Sequence, residues 1–402
     1  MILCAILGIA LIAIPAAAQD GAQAAPPAVQ RVQVRMVTDE PEAVLAILSK
    51  LGAKTEAKSA DTPDAKSDAT PDTEPDAATS APPEAPPAAA PAANTEVTDA
   101  DWQKLFASEG YRRLKKREAS MQRAFTDDDF KKFVLSPELL AKADRLQETL
   151  DSWKQADISV PAELALAYLP DAATIHATIY PSIKPHENSF VFEVTTDPAI
   201  FLYLDPEVTR DDFNNTLAHE LHHIGYGTAC PPKSMEADTA KQPAPVQMAR
   251  KWVSAFGEGF AMLAAAGGPD VHPRATASQE KHEKWDLDMG QFYQNRIELD
   301  AFFMRVLKGD LTGDKADAQA FTYFGYQGPW YTVGYRMATT VEAAFGRQRL
   351  IDSMCDGSIL AAYNEAMEEQ LKSMRAGQAR GKPTWSPEIV KAMEVAKPAE
   401  SK

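Results

Sequence analysis

The chain is short of several features that would assign it quickly. Its first 18 residues carry no charged side chain. Ile2 to Ile14 is apolar but too short to span a membrane, which takes about 20 such residues. Ala16-Ala17-Ala18 follows as an A-x-A cleavage pattern. Residues 1–18 therefore read as a secretory signal peptide, and the protein as periplasmic or secreted. The Lys or Arg usual near the start of such a peptide is missing. Cys4 does not precede a small-residue cleavage point, which argues against a lipid anchor. Basic patches are absent, so no nucleic acid and no anionic membrane surface is expected as a partner, nor any stable membrane insertion. There is no internal repeat. Cysteine is scarce: after the signal only Cys230 and Cys355 remain, enough for one bridge in an oxidising compartment. Spacing leaves a bridge and two separate thiols equally open.

Large apolar residues nearly vanish from Thr55 to Ala100, where Ala, Pro, Thr and Asp dominate. Such a stretch cannot bury a core, so residues 53–100 are expected to be a disordered linker. Residues 55–100 hold 10 acidic and 2 basic side chains, a balance of −8, half of the net −16 of the chain. The rest is thus only mildly acidic. Before the linker, residues 28–52 read as a strand and a helix. Val32, Val34 and Met36 alternate with Gln33 and Arg35, and Glu40 to Leu51 is a short amphipathic helix. Residues 101–380 are long enough for one large domain or two lobes, and 381–402 read as a flexible tail.

What the chain does have is H-E-x-x-H at His219, Glu220, Leu221, His222 and His223. Histidines four apart lie one turn above each other on a helix and can grip one divalent metal from the same side. The Glu beside the first His can then act as general base on a metal-activated water. The surroundings favour a helix. Phe213, Leu217, Leu221 and Ile224 form one apolar stripe, Thr209 with Asp212 resembles a capping box, and Gly225 and Gly227 read as stop signals. The bland alternative is a surface helix that happens to carry three histidines. His222 falls one step off the ligand face and reads as a packing residue.

A catalytic zinc needs a third protein ligand and an open position. Val246 to Ala266 reads as one apolar helix, ended by Gly267, Gly268 and Pro269, and its only acidic residue is Glu258. A carboxylate in such a setting costs several kcal/mol unless paired or metal-bound. Gly257 and Gly259 on either side suggest that another helix approaches closely. Glu258 is therefore the candidate third ligand. The alternative is a buried Glu held by Arg250 or Arg274.

H-E-L-H-H-I-G at 219–225, E-G-F-A at 258–261 and G-P-W-Y-T-V-G-Y at 328–335 together resemble a bacterial family of zinc-dependent peptidases, distant relatives of the thermolysin-like gluzincins. The likeness runs from about Asp101 to about Met374. It implies zinc on His219, His223 and Glu258, Glu220 as base, and a peptide or protein substrate. The chain departs from thermolysin in lacking N-E-x-x-S-D around the third ligand, so the residues that orient the ligands there cannot be carried over.

The expected fold is α+β and zincin-like. Strands at Thr174–Tyr180, Phe190–Val194 and Ile200–Leu204 would make a small antiparallel sheet on the metal helix, with two or three helices in Asp101–Trp153 before it and a mostly helical lobe after it. Tyr335, or failing that Tyr331, is the candidate donor to the oxyanion; core aromatics are the alternative. Arg336 is a weaker candidate for meeting a substrate carboxylate. His176, His186, His272 and His282 have no partner at ligand spacing and read as structural. The function expected is an exported zinc metallohydrolase, most simply a peptidase. The alternatives are a non-catalytic zinc-binding protein, its site closed by His222 or Cys230, and a hydrolase of cell-wall amides.

Overall fold

A computed structural model describes residues 31–60, 96–230, 238–325, 327–373 and 384–394. The expected signal peptide and most of the expected linker lie outside these residues. Two hydrophobic cores organise the described residues, one around a four-stranded sheet and one entirely helical.

The first core begins with β1 (Val32–Met36) and α1 (Asp39–Ala60). After the undescribed stretch come α2 (Asp99–Ala107), α3 (Glu109–Ser120), α4 (Asp127–Val134), α5 (Pro137–Leu140), α6 (Ala143–Lys154) and α7 (Ser159–Leu166). Where two or three helices were expected in Asp101–Trp153 there are five. Hydroxyl caps divide them: Ser108, Thr126 and Ser136 each accept a backbone N–H three residues on. The alternating strand and the helix read before the linker both form. Val44, Ile47 and Leu48 of α1 are fully buried in the first core.

The sheet adds β2 (Ile175–Ser182), β3 (Phe190–Phe192) and β4 (Ala199–Tyr203), in the order β1-β2-β4-β3. It is mixed rather than antiparallel: β1 and β4 both run parallel to β2, and only β3 opposes β4. Burial explains the departure. Short turns suggested antiparallel pairing throughout, but β4 (AIFLY) is buried over its first four residues and takes a central place between β2 and β3. The three-residue β3, half exposed, is left at the edge. Ring pairs Tyr180–Phe201 and Phe190–Phe201, at 5.0 and 5.1 Å, hold the register.

Helix α8 (Arg210–Ala229) follows and lies between the two cores. Thr209 caps it, its hydroxyl accepting from Asp212 N at 3.2 Å. Phe213, Leu217, Leu221 and Ile224 enter the sheet-side core as the stripe predicted. Gly225 and Gly227 do not stop the helix, which runs to Ala229. They make room for neighbours: a Cβ on Gly225 would meet Leu169 at 2.2 Å, and one on Gly227 would meet Val194 at 2.5 Å.

The second core holds α9 (Ala244–Val253), a 3₁₀ turn (Ser254–Phe256), α10 (Gly257–Ala266), α11 (Gln279–Gly290), α12 (Phe292–Leu307), α13 (Gly313–Thr322), α14 (Pro329–Phe345), α15 (Arg347–Cys355), α16 (Ile359–Ser373) and α17 (Pro387–Met393). The single helix expected over Val246–Ala266 is thus broken by the 3₁₀ turn, and Glu258 falls in the first turn of α10. Gly267, left-handed at φ 85°, ends it. Nor are residues 384–394 a loose tail. Trp385 is buried against Phe256 and Phe303, and Ser386 bonds to Asp300 through both its N–H and its hydroxyl.

Helix α14 runs through this core and crosses α10 at two glycines. A Cβ on Gly259 would lie 2.0 Å from Tyr335 N and 2.5 Å from the Tyr331 carbonyl; one on Gly334 would lie 2.5 Å from the Phe256 carbonyl. Gly259 therefore serves the close approach expected of it, whereas Gly257 faces nothing within 4 Å. The two cores are also joined through α8. Asn215 donates to the Ala265 carbonyl at 3.0 Å, Tyr226 donates to the Met354 carbonyl at 2.9 Å, and Cys230 is disulfide-bonded to Cys355. Among the described residues no helix is long and apolar enough to cross a membrane.

Candidate metal centre

Three side chains from two helices converge where α8 meets α10. His219 Nε2 lies 3.0 Å from His223 Nε2, and Glu258 Oε2 lies 3.2 Å from each. Ligand atoms on a tetrahedral zinc, with bonds of about 2.0–2.1 Å, stand about 3.3 Å apart. The three atoms thus already form one face of such a shell, a little contracted. The donor set, two imidazole nitrogens and one carboxylate oxygen, fits zinc. The three side chains remain 12–20% exposed, so an ion and a water can reach them.

Electrostatics fit the same picture. Burial pulls the His219 imidazole down to about 4, with the His223 charge adding to it. Burial would lower His223 as well, but the Glu258 carboxylate outweighs it and lifts His223 to about 8. Burial would raise Glu258, yet the His223 charge and hydrogen bonds from both imidazoles hold it well below the usual carboxylate range. The carboxylate draws positive charge to the centre of the cluster, which a divalent ion supplies. Arg250, one alternative partner for Glu258, is engaged elsewhere, with Asp238 and the carbonyls of Ala392 and Glu394.

Glu220 is buried beside the cluster. Desolvation raises its carboxyl to about 7; the His223 charge opposes the rise and the Glu258 charge adds to it. His222 points away from the cluster, with Nε2 3.4 Å from the Tyr168 carbonyl and its ring edge-on to Phe260 at 4.6 Å. Burial, then the charges on His223 and His219, hold it neutral.

Of the two tyrosines considered, the structure brings Tyr331 to the cluster and turns Tyr335 away. The Tyr331 ring lies parallel to His219 at 6.3 Å. Burial, then the nearby Glu258 and Glu220 charges, raise its hydroxyl well above the ordinary value, and Arg274 opposes them. The Tyr335 ring packs edge-on against Trp285 at 5.3 Å, and the charges that act on it are Arg336, Asp270 and Glu342. Residues 331 and 335 share a helix face, but the crossing with α10 lies between them. Arg336 is exposed over Phe292, on the Tyr335 side.

Sequence reasoning missed the role of the 267–278 loop. Arg274, considered only as a counter-ion to Glu258, carries a charge that lowers both His219 and Tyr331. Gln327, just before the helix that bears Tyr331, is buried and left-handed at φ 61°. With its amide oxygen toward the guanidinium, it accepts from Arg274 Nε and Nη2, both at 2.9 Å. His272 and His282, expected to lack partners, stack at 3.6 Å beside Asp286. The adjacent Q-G-P, with its glycine and proline, was the available signal that residue 327 sits in a turn.

A helix-borne histidine pair, a carboxylate from the next helix and a second buried Glu make up the chemistry of a metal-dependent hydrolase. The chain belongs to the family described as "Putative zinc dependent peptidase (DUF5700)", whose model matches residues 102–371. Zinc is thus its cofactor. No curated protein and no solved structure matches the chain.

Proposed function

We propose that the protein is an exported zinc metallopeptidase of the gluzincin type. The observation that carries the reading is the convergence of His219 Nε2, His223 Nε2 and Glu258 Oε2 within 3.0–3.2 Å, with Glu220 buried alongside. These three side chains would hold zinc. When bound, zinc polarises a carbonyl and lowers the pKa of a water. Glu220 takes the proton of the attacking water and returns it to the leaving amine; burial makes it a stronger base than a solvated carboxylate. Tyr331, rather than Tyr335, donates to the oxygen on which negative charge grows, and burial keeps its proton in place.

The Cys230–Cys355 bridge supports export, because disulfides persist in oxidising compartments. A closed, non-catalytic site would need a fourth ligand. His222 faces the Tyr168 carbonyl and Cys230 is bonded to Cys355, so neither favours that reading. Glu220→Gln decides between enzyme and metal binder: zinc content should hold while turnover falls by about 10²–10⁴. Unchanged turnover at equal zinc would sink the mechanism. Cleavage profiling on peptides against cell-wall amides separates the two substrate classes.

A further inference from the structure

We propose that β1 and α1 form a separable docking unit: residues 31–60 bind the rest of the chain as a separate partner would, and the same residues of a second copy can take their place. The unit lies outside residues 102–371, which the family model matches. Residues 61–95 stand between it and Thr98, the cap of α2, so the connection to the body is long and the contacts set the position. Those contacts have three parts. The first is strand addition. β1 runs parallel to β2 in a register from Val32 opposite Ile175 to Met36 opposite Ile179, and Val37 N donates to the Ile179 carbonyl at 2.8 Å. Main-chain pairing of this kind gives affinity, and side chains at alternate positions give selectivity. Val32, Val34 and Met36 pack on the first core, while Arg35 pairs with Glu109 at 2.6 Å. Arg31 closes the near end, its Nε and Nη2 donating to the Ala173 and Pro170 carbonyls, both at 2.9 Å.

The second part is the apolar face of α1, where Ala43, Val44, Ile47 and Leu48 are buried. Glu42 and Lys50 flank it, paired at 2.8 Å with Lys154 and Asp101. With Arg35, the unit thus offers two cations and one anion to two anions and one cation, which fixes its orientation. The third part is a helix cap given across the interface. Asp39 Oδ2 accepts from Glu109 N at 2.6 Å and Oδ1 from Gly110 N at 3.1 Å. A carboxylate there meets the free N–H groups and the dipole at the start of α3. A Cβ on residue 110 would stand 3.0 Å from Glu40 Cβ, so the glycine lets the unit close in. One group opposes docking. Glu40 is fully buried; its Oε2 accepts from Ile183 N at 3.2 Å, and its Oε1 has no partner among the described residues. Burial outweighs the Ile183 bond and pushes the carboxyl well above the ordinary range; Asp39 of α1 adds to the rise, Lys184 of the loop after β2 opposes it, and Tyr111 of α3 feels its charge. The docked unit therefore carries a proton on Glu40 that the undocked unit gives up to water. A group raised in the bound state favours binding below its free value, and that support is lost as pH rises through the bound value. Docking weakens toward alkaline pH.

The test uses the full chain with a specific protease site placed within residues 61–95. After cleavage the two pieces should co-elute in size exclusion at about pH 6. Mixed with a cleaved, isotope-labelled copy, they should exchange units, read by native mass spectrometry. Exchange should be about tenfold or more faster at about pH 9 than at about pH 6. Glu40→Gln keeps the acceptor for Ile183 N but cannot ionise, and should level the two rates. Asp39→Ala should speed exchange about tenfold at both. A site that resists the protease in the native protein overturns the proposal. So does separation or aggregation of the pieces at about pH 6, or exchange no faster than global unfolding as read by amide exchange in α8. Equal wild-type rates at the two pH values overturn the part given to Glu40.

Discussion

Two clusters of two histidines and one carboxylate occur among the described residues, and their geometry differs where their composition does not. In His219, His223 and Glu258 the imidazoles stand edge to face, 84° apart, and their Nε2 atoms converge with the carboxylate. In His272, His282 and Asp286 the rings lie 15° from parallel at 3.6 Å. Imidazole lone pairs lie in the ring plane, so stacked rings aim theirs side by side rather than at one point. His272 Nδ1 also accepts a backbone N–H. That leaves the ring proton on Nε2, pointing at Asp286 as a donor, where a metal would need a lone pair. The geometry of the first cluster suits an ion, and that of the second suits a loop tie. Lone-pair direction, more than ligand count, separates the two.

The contrast breaks most visibly if zinc content follows the wrong cluster. His223→Ala and Glu258→Ala should lose the single zinc per chain and all turnover, read by metal analysis and a peptide assay. His272→Ala and His282→Ala should each retain one zinc. A second zinc in the wild type, lost with His282, would overturn the assignment.

A smaller effect sharpens the boundary of the metal cluster. Tyr331→Phe should lower the catalytic rate by roughly 10- to 1000-fold with zinc retained, as expected for the loss of one oxyanion donor. Tyr335→Phe should change it by less than about twofold, since its hydroxyl faces away from the cluster. The reverse pattern would restore Tyr335 as the donor.

Smaller still is the effect on the loop. Asp286→Asn keeps shape but weakens the hold on His272. It should leave kcat, KM and zinc unchanged, at a stability cost of about 1 kcal/mol. His282→Ala removes only the stacked ring from a half-exposed site. Urea titration should find stability changed by no more than about 0.5 kcal/mol.

Much of the first cluster was legible in the chain. H-E-x-x-H, the Thr209 cap and the apolar stripe are local features, and local features survive folding. Glu258 was legible because an acid alone in an apolar helix needs a reason. What failed was long-range. Gly225 and Gly227 read as stops because glycine marks an end and a close approach alike, and only the neighbour, Leu169 or Val194, tells which. The sheet was read as antiparallel because turn residues report the turn and say nothing of which strand inserts where. Tyr331 and Tyr335 differ by one helical turn, and the choice between them is made by α10, a partner that periodicity cannot show. The charge that Arg274 brings near the cluster was invisible because its fixation comes from His272 and from Gln327, 53 positions away.

The crossing of α10 and α14 at Gly259 and Gly334 has a thermal consequence. Where side chains separate two helices, warming is taken up by rotamer hops and small slides. Here main chain rests on main chain, and there is no rotamer to hop. Glu258 sits one residue before the contact and Tyr331 three residues before it. The spacing between the carboxylate and the phenol should therefore vary least on heating. The span from the first core to the second, which crosses packed side chains, should vary most. A gently warmed protein would keep Glu258 and Tyr331 in register with each other while the histidines of α8 shift against both.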